Sequence, residues 1–276
     1  MGLGQKLKKL LSPEGPGLVA KGLRYQYWHR KNQWIYLKNG LALENECVGD
    51  FMPHDIYWAH RSIYDFATDH LPDRSSLRLL DLGCGVGYGS AILAQQDRVA
   101  SVTALDLDKA CVQYAQRHFG DLPGLRFARC AAEEFPSQHP GPYDFIFSSN
   151  VFEHLDDAGS LLRTLPDHLA PGGCFFFAVP PIFDEAERAR QNAVEFHRSN
   201  HLIAEWQEHL QAAFGAPGTF YAHHYTPRQP DRPYDRTSAP IPTTDLGSDD
   251  FSFTASGLSA EDSGDTLTAV WVLRLP

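Results

Sequence analysis

The sequence predicts an α/β fold, a mostly parallel sheet with helices on both faces. Three observations carry this. Leu77–Leu82 is largely apolar, as a strand covered on both faces requires, and it runs into Gly83, Gly85 and Gly87 at alternate positions. Ala100–Leu105 reads as a second strand ending on Asp106, 25 residues after Asp81, which is one strand–turn–helix–strand step. Further apolar runs at Leu125–Arg129, Tyr143–Phe147, Cys174–Val179 and Leu267–Leu275 alternate with segments of helical spacing.

The chain has 276 residues, 43% of them hydrophobic, enough for one large core with additions. Its 24 basic and 34 acidic residues leave a net charge of −10, so non-specific nucleic-acid binding is not expected. The five cysteines (Cys47, Cys84, Cys111, Cys130, Cys174) form no C-x-x-C pair, and free thiols in a reducing, cytoplasmic compartment are expected. No apolar run approaches the ~20 residues of a membrane-spanning helix.

Taken in order, residues 1–50 read as an extension ahead of the main domain, 51–276. Met1–Leu11 sets Lys6, Lys8 and Lys9 among leucines at helical spacing; it is either a solvated start or a short basic helix for a membrane surface or partner. Ser12–Gly17 is a Pro/Gly linker. Leu23–Leu41 interleaves Tyr25, Tyr27, Trp28, Trp34 and Tyr36 with Arg24, Arg30, Lys31 and Lys38. Such a stripe docks on a domain or stacks against a ligand, and a lid does both. His54–Ala67 is an amphipathic helix stopped by Pro72, with His60 and Arg61 read as solvated surface.

The glycine turn after Leu82 then decides the ligand. Glycine takes positive φ and has no Cβ, so a ligand can lie against this backbone. A dinucleotide fingerprint needs Gly or Ala where Tyr88 or Ser90 stands, and no Lys-Ser/Thr pair follows for a phosphate loop. Asp106, at the next strand tip, can accept hydrogen bonds from two ribose hydroxyls, while Asp108 reads as the N-cap of the following helix. Leu161–Leu169 is a helix closed by the Pro-Gly turn Ala170–Gly173. Ile182–Glu195 is charged and reads as exposed, Leu202–Phe214 as a helix, and Thr219–His224 as a sixth strand. Tyr225–Gly264, rich in Pro, Asp, Ser and Thr, is a long excursion before the final strand. The adjacent His223 and His224 point to opposite faces of a strand, so no metal site is expected there.

The run Asp81-x-Gly83-x-Gly85-x-Gly87 resembles motif I of the class I S-adenosylmethionine (SAM) dependent methyltransferases. Tyr143-Asp144-x-Ile146-x-Ser148-x-x-Val151-x-Glu153-His154-Leu155 is similar to motif IV of their ubiquinone/type 11 group, and Leu169-x-Pro171-Gly172-Gly173 to their post-motif. The resemblance implies a Rossmann-like, seven-stranded, mostly parallel sheet whose last strand is antiparallel. It implies SAM as cofactor, at Asp81, Gly83, Cys84, Gly85, Gly87, Tyr88, Asp106, Leu107, Ala132, Glu133 and Asn150. The family's adenine-facing Asp is replaced by Ala131. A lead-in resembling one subgroup (Glu46, Pro53, His60, Tyr64, Phe66-Ala67, with Cys47 in place of Arg) points to sugar or glycan acceptors. Within residues 181–264, a substrate-side insertion, the run His197-x-x-x-x followed by a hydrophobic helix ending in Phe214-Gly215 resembles a segment that carries a histidine near the acceptor. His154 and His197 are therefore the candidate bases for methylation of a hydroxyl on a small molecule or glycan, and each can instead brace its own loop. An N- or C-methyltransferase, for which neither is needed, and a non-catalytic SAM-fold protein are the alternatives. Oligomeric state is not legible.

Overall fold

The computed structural model describes residues 54–194, 197–226, 247–256 and 266–276. The expectations for residues 1–53 and for most of the 225–264 excursion lie outside these.

Helices α1 (His54–Thr68), α2 (Tyr88–Ala94), α3 (Lys109–Phe119), α4 (Phe135–Gln138), α5 (Ala158–Thr164), α6 (Glu185–Gln191) and α7 (Ile203–Phe214) surround one sheet. Its strands are β1 (Leu77–Leu82), β2 (Val99–Asp106), β3 (Leu125–Arg129), β4 (Tyr143–Ser149), β5 (Leu169–Val179), β6 (Thr219–Tyr225), β7 (Phe251–Ala255) and β8 (Thr266–Arg274). The spatial order is β3-β2-β1-β4-β5-β8-β6-β7. Strands β3 to β5 in this order pair in parallel, and β8 is antiparallel to both β5 and β6. The order reverses between β1 and β4, and that crevice at the strand C-termini is where an open α/β sheet binds ligands.

The sheet has eight strands rather than seven. The extra strand, β7, lies in the expected excursion and pairs antiparallel with β6, Tyr225 against Phe251 and Tyr221 against Ala255. Its residues Phe251-Ser252-Phe253-Thr254 alternate in the period of a strand. Phe253 stacks on Phe66 of α1 at 3.9 Å between centroids, which anchors the strand to the domain.

Alternation along each strand sorts the core into two layers. Leu80, Leu82, Ile146, Phe175, Phe177 and Trp271 face α5 and α7; Leu79, Phe145, Phe147, Phe176 and Val270 face α1 and α2. Helix α7 buries Ile203, Trp206 and Leu210, so Ile203 takes the place expected of Leu202. Asp108 caps α3, accepting hydrogen bonds from the Ala110 and Cys111 N–H groups. Asp157 likewise caps α5, which starts three residues before the expected Leu161. A single 3₁₀ turn, Leu165–His168, carries the chain on from α5, and Pro166 there cannot continue an α-helical ladder. Ala170–Gly173 is not a free turn: it lies within β5, where the register against β4 shifts between Tyr143 and Phe145 and Gly172 takes φ 66°. The charged stretch after Ile182 contains α6, capped by Asp184. Among the described residues no helix is long and apolar enough to cross a membrane.

Candidate functional site

The mouth of the crevice is built by the loop after β1. Gly83, Gly85 and Gly87 have φ of 85°, 53° and 87°, a region where a Cβ is unfavourable. Packing gives two of them a second reason. A Cβ on Gly83 would overlap Val151, and one on Gly87 would lie 2.6 Å from Ala115 Cβ and 2.8 Å from the Phe127 ring. Gly85 is different, because among the described residues a Cβ there meets nothing within 4 Å. Within those residues its bare backbone is uncovered, which is the cradle a cofactor needs. The Gly83 and Cys84 N–H groups both donate to Leu105 O, tying the loop to β2.

Asp106 stands at the tip of β2, and one carboxylate links both sides of the mouth. Its Oδ2 accepts from the Gly85 N–H and its Oδ1 from the Asp108 N–H, each at 2.8 Å. Burial pushes its carboxyl above the ordinary range, and these two N–H groups pull the other way. A carboxylate offers about four acceptor positions, so two remain for a ribose diol. Leu107 follows with 62% of its surface exposed, an open apolar side chain suited to the face of a purine. The end of β3 is fastened alongside, the Cys130 N–H donating to Asp106 O. Ala132 and Glu133 then form a single 3₁₀ turn begun by Ala131, which has no side-chain cap. Glu133 is exposed and Ala132 half-buried. These residues fit the nucleoside half of SAM, with backbone rather than a carboxylate at the adenine edge.

Asp81 lies beneath the loop, not on its open face. It is fully buried on the α1/α2 side, accepting a 2.5 Å hydrogen bond from Ser90 Oγ and longer ones, 3.4 Å, from the Tyr64 hydroxyl. Burial lifts its carboxyl to about 7, against the pull of both donors. Its side chain holds the turn in place, and its neighbour Cys84 is buried too. Tyr88, at the start of α2, meets the Tyr64 ring edge-on at 5.8 Å. Tyr64 was legible only as part of an amphipathic helix; nothing in its spacing marks it as the partner of Asp81.

The opposite wall is the segment leaving β4. Ser148 Oγ donates to Leu82 O, and Asn150 takes φ 53° while its N–H donates to Ala178 O. The 3₁₀ turn Phe152–His154 follows. Here the structure joins the two candidate bases, which are 43 residues apart in sequence. The His154 and His197 rings lie edge to face with centroids 5.0 Å apart. The join is made by backbone: the Arg198 and Ser199 N–H groups donate to Glu153 O, and Ser199 Oγ donates to Leu155 O. Burial and the neighbouring His154 pull His197 below the ordinary imidazole range, opposed by Asn200. Between them sits Glu153, whose carboxyl burial raises to about 8. Quoted in the motif but given no role from sequence, Glu153 is the residue that sequence reasoning missed; the signal was an acidic residue in a turn set among the apolar Val151, Phe152 and Leu155. His223 is buried with Nε2 3.0 Å from Ser62 Oγ and takes no part in the crevice.

Residues 57–216, more than half of the chain, match the family model of a methyltransferase domain. A trans-aconitate 2-methyltransferase from Deinococcus radiodurans is 35% identical over 116 residues, covering 42% of this chain and 43% of that protein. A ubiquinone biosynthesis O-methyltransferase from Aeromonas salmonicida is 32% identical over 132 residues, 48% of this chain and 54% of its own. The chain thus spans about half the length of these curated relatives. A crystal structure of an SAM-dependent methyltransferase from Mesorhizobium loti superposes with a TM-score of 0.50 at 18% identity, over 77% of this chain and 97% of that one, a likeness of fold.

Proposed function

Because the chain belongs to the class I SAM-dependent methyltransferases, we propose that it moves the methyl group of SAM to a hydroxyl oxygen of a small molecule. The carrying observation is the cluster of Glu153, His154 and His197 on the wall of the crevice, beginning two residues beyond the Val151 that lies against Gly83. SAM supplies a methyl group on a sulfonium, so no further activation of that carbon is needed. What remains for the protein is alignment, exclusion of water and removal of the hydroxyl proton.

The residues divide this work. The open backbone at Gly85 and the carboxylate of Asp106 hold the cofactor, with Leu107 against the base and Ala132–Glu133 at its edge. Asn150 and the turn after it form the acceptor side. His197, held neutral near pH 7 by burial and by His154, accepts the proton, with His154 as the more exposed partner of the pair. Two relatives named for small-molecule acceptors, trans-aconitate and a ubiquinone precursor pathway, support a small acceptor over a polymer.

The test is formation of S-adenosylhomocysteine from SAM with a panel of hydroxyl acceptors, sugars included. We expect turnover with a hydroxyl acceptor and its loss in a His154→Ala/His197→Ala double variant that still binds SAM. Full turnover in that variant would move the assignment to nitrogen or carbon methylation.

A further inference from the structure

An imidazole base acts on one hydroxyl, and the rest of the acceptor needs a place to lie. Beside the two imidazoles is a cavity of about 450 Å³, within the size of small-molecule sites. It is walled by the start of α5, by Arg188 of α6 and the adjoining Asn192, by residues 198–201 and by His209 of α7. Its lining starts at Arg198, next to His197, and at Asp156, just past His154. The backbone bonds from Arg198 and Ser199 to Glu153 O hold these two walls together. Asn200 belongs to both places: it lines the cavity, and it favours the charged form of His197.

Small-molecule pockets are mostly lined by apolar and aromatic side chains. Here, among the described residues, Ala158 and Gly159 are the only lining positions without a polar side chain. Nor is there an unbalanced charge. Arg188 Nη2 is 2.7 Å from Glu205 Oε2, and Arg198 Nε is 3.4 Å from Asp156 Oδ1. Arg163 donates to Ser160 Oγ, which in turn donates to Asp157. Burial and the neighbouring His209 pull the His201 imidazole below its ordinary range, opposed by Glu205. Each guanidinium thus has its carboxylate, directly or through one hydroxyl, and the cavity holds no excess charge for an anion or a cation. It offers donors and acceptors side by side instead. Asn200 Nδ2 donates to Asn192 Oδ1 at 2.9 Å, which sets both carboxamides and leaves the Asn192 NH₂ group to donate. Asn200 Oδ1 is buried and makes no hydrogen bond among the described residues.

Interleaved donors and acceptors at balanced charge suit hydroxyl groups, each of which both gives and accepts a hydrogen bond. We propose that this cavity binds the polyhydroxylated ring of a neutral sugar, one hydroxyl of which reaches the His154/His197 pair for methylation. The inference deepens the hydroxyl reading and rests on it. The arginines and carboxylates hold one another in place, so the ring meets groups that are already ordered. An analogue without hydroxyls would leave those groups unpaired, and the cavity therefore selects against it.

The test reads binding without turnover. The full chain with S-adenosylhomocysteine is titrated by saturation-transfer NMR with glucose, galactose and mannose as neutral probes, and with glucuronate and galacturonate as anionic ones. We expect a neutral sugar to bind, and more tightly than either sugar acid. Asn192→Ala and Arg163→Ala alter exposed side chains of the lining, and each should weaken that sugar about 10-fold. Their melting temperatures and SAM affinities should match the wild type, which shows that each is folded. Failure of every neutral sugar to bind, tighter binding of the sugar acids, or wild-type affinity in both variants overturns the inference. The two readings fail separately. A neutral sugar that binds and is lost in the variants, with no methylation of any hydroxyl, removes the activity and keeps the site. Methylation of another hydroxyl acceptor, undiminished in both variants and with no sugar bound, removes the site and keeps the activity.

Discussion

Replacing Asp81 with Asn should stabilise the protein, and increasingly so as pH rises. Asp81 is fully buried near the end of β1; among the described residues it makes no ion pair, and its side chain accepts from the Ser90 and Tyr64 hydroxyls. Burial raises its carboxyl from the ordinary carboxylate range to about 7. Between about pH 4 and 7 the folded chain therefore keeps a proton that the unfolded chain releases, and stability is lost as pH rises through that window. The full difference is on the order of 4 kcal/mol, reached above pH 7. Asn keeps an acceptor for Ser90 but brings an NH₂ group that must find a partner, at about 1–3 kcal/mol. The net expectation for Asp81→Asn is a gain of roughly 1–3 kcal/mol at pH 8 that shrinks or reverses at pH 5. Urea denaturation of both proteins across this range reads it directly, the slope of the difference approaching 1.4 kcal/mol per pH unit near pH 5.5–6.5. A difference that is flat with pH, or that grows toward acid, would refute the argument.

Three other substitutions separate the parts of the site. Asp106→Ala removes two charge-assisted acceptors, each worth about 1.5–3 kcal/mol, so SAM affinity by calorimetry should fall at least about 100-fold; unchanged affinity would remove Asp106 from the ribose. Gly85→Ala places its methyl group in the open cradle, so it should keep the melting temperature within a few degrees and lose cofactor affinity. Gly87→Ala instead drives a methyl group into Ala115 and Phe127 and should cost about 1–3 kcal/mol in stability; the opposite ranking of the two by thermal melting and calorimetry would contradict the geometry. Leu210→Ala, in the layer between α7 and the sheet, should cost about 2–5 kcal/mol in the same urea assay without changing SAM affinity, and a smaller effect would mean that α7 is not part of the cooperative core.

The wall built by the glycine loop and Asp106 was legible in the sequence because its signals are local. Three glycines at alternate positions, and an acid one step along at the tip of β2, come from a strand, a turn and a strand of predictable length. The same holds for the Asp108 cap and for the opposed faces of His223 and His224. What was not legible depends on contacts between distant segments. Tyr64 meets Asp81 only because α1 packs on the β1 face shared with α2. His197 joins His154 through two N–H groups on Glu153 O, and no spacing encodes that. The strand β7 was hidden for a different reason. Its five residues alternate correctly, but they sit within a segment whose Pro, Asp and Ser content outweighs so short a pattern, and the Phe66 and His223 rings on which Phe253 stacks are distant in sequence. The Pro-Gly run at 170–173 reads as a turn from its chemistry, but β5 absorbs it as a register shift.

The tie made by Asp106 has a consequence for how the cofactor arrives. Gly85 on one loop and Asp108 on the other are held by the same carboxylate before any ligand is present. The ordering of both loops is thus completed during folding, and association need not supply that entropy again. Capture of the nucleoside should then proceed without a slow rearrangement at this mouth, a single rapid phase in stopped-flow fluorescence. Any slower phase belongs to the acceptor wall, where residues from β4 and from the segment ahead of α7 must come together.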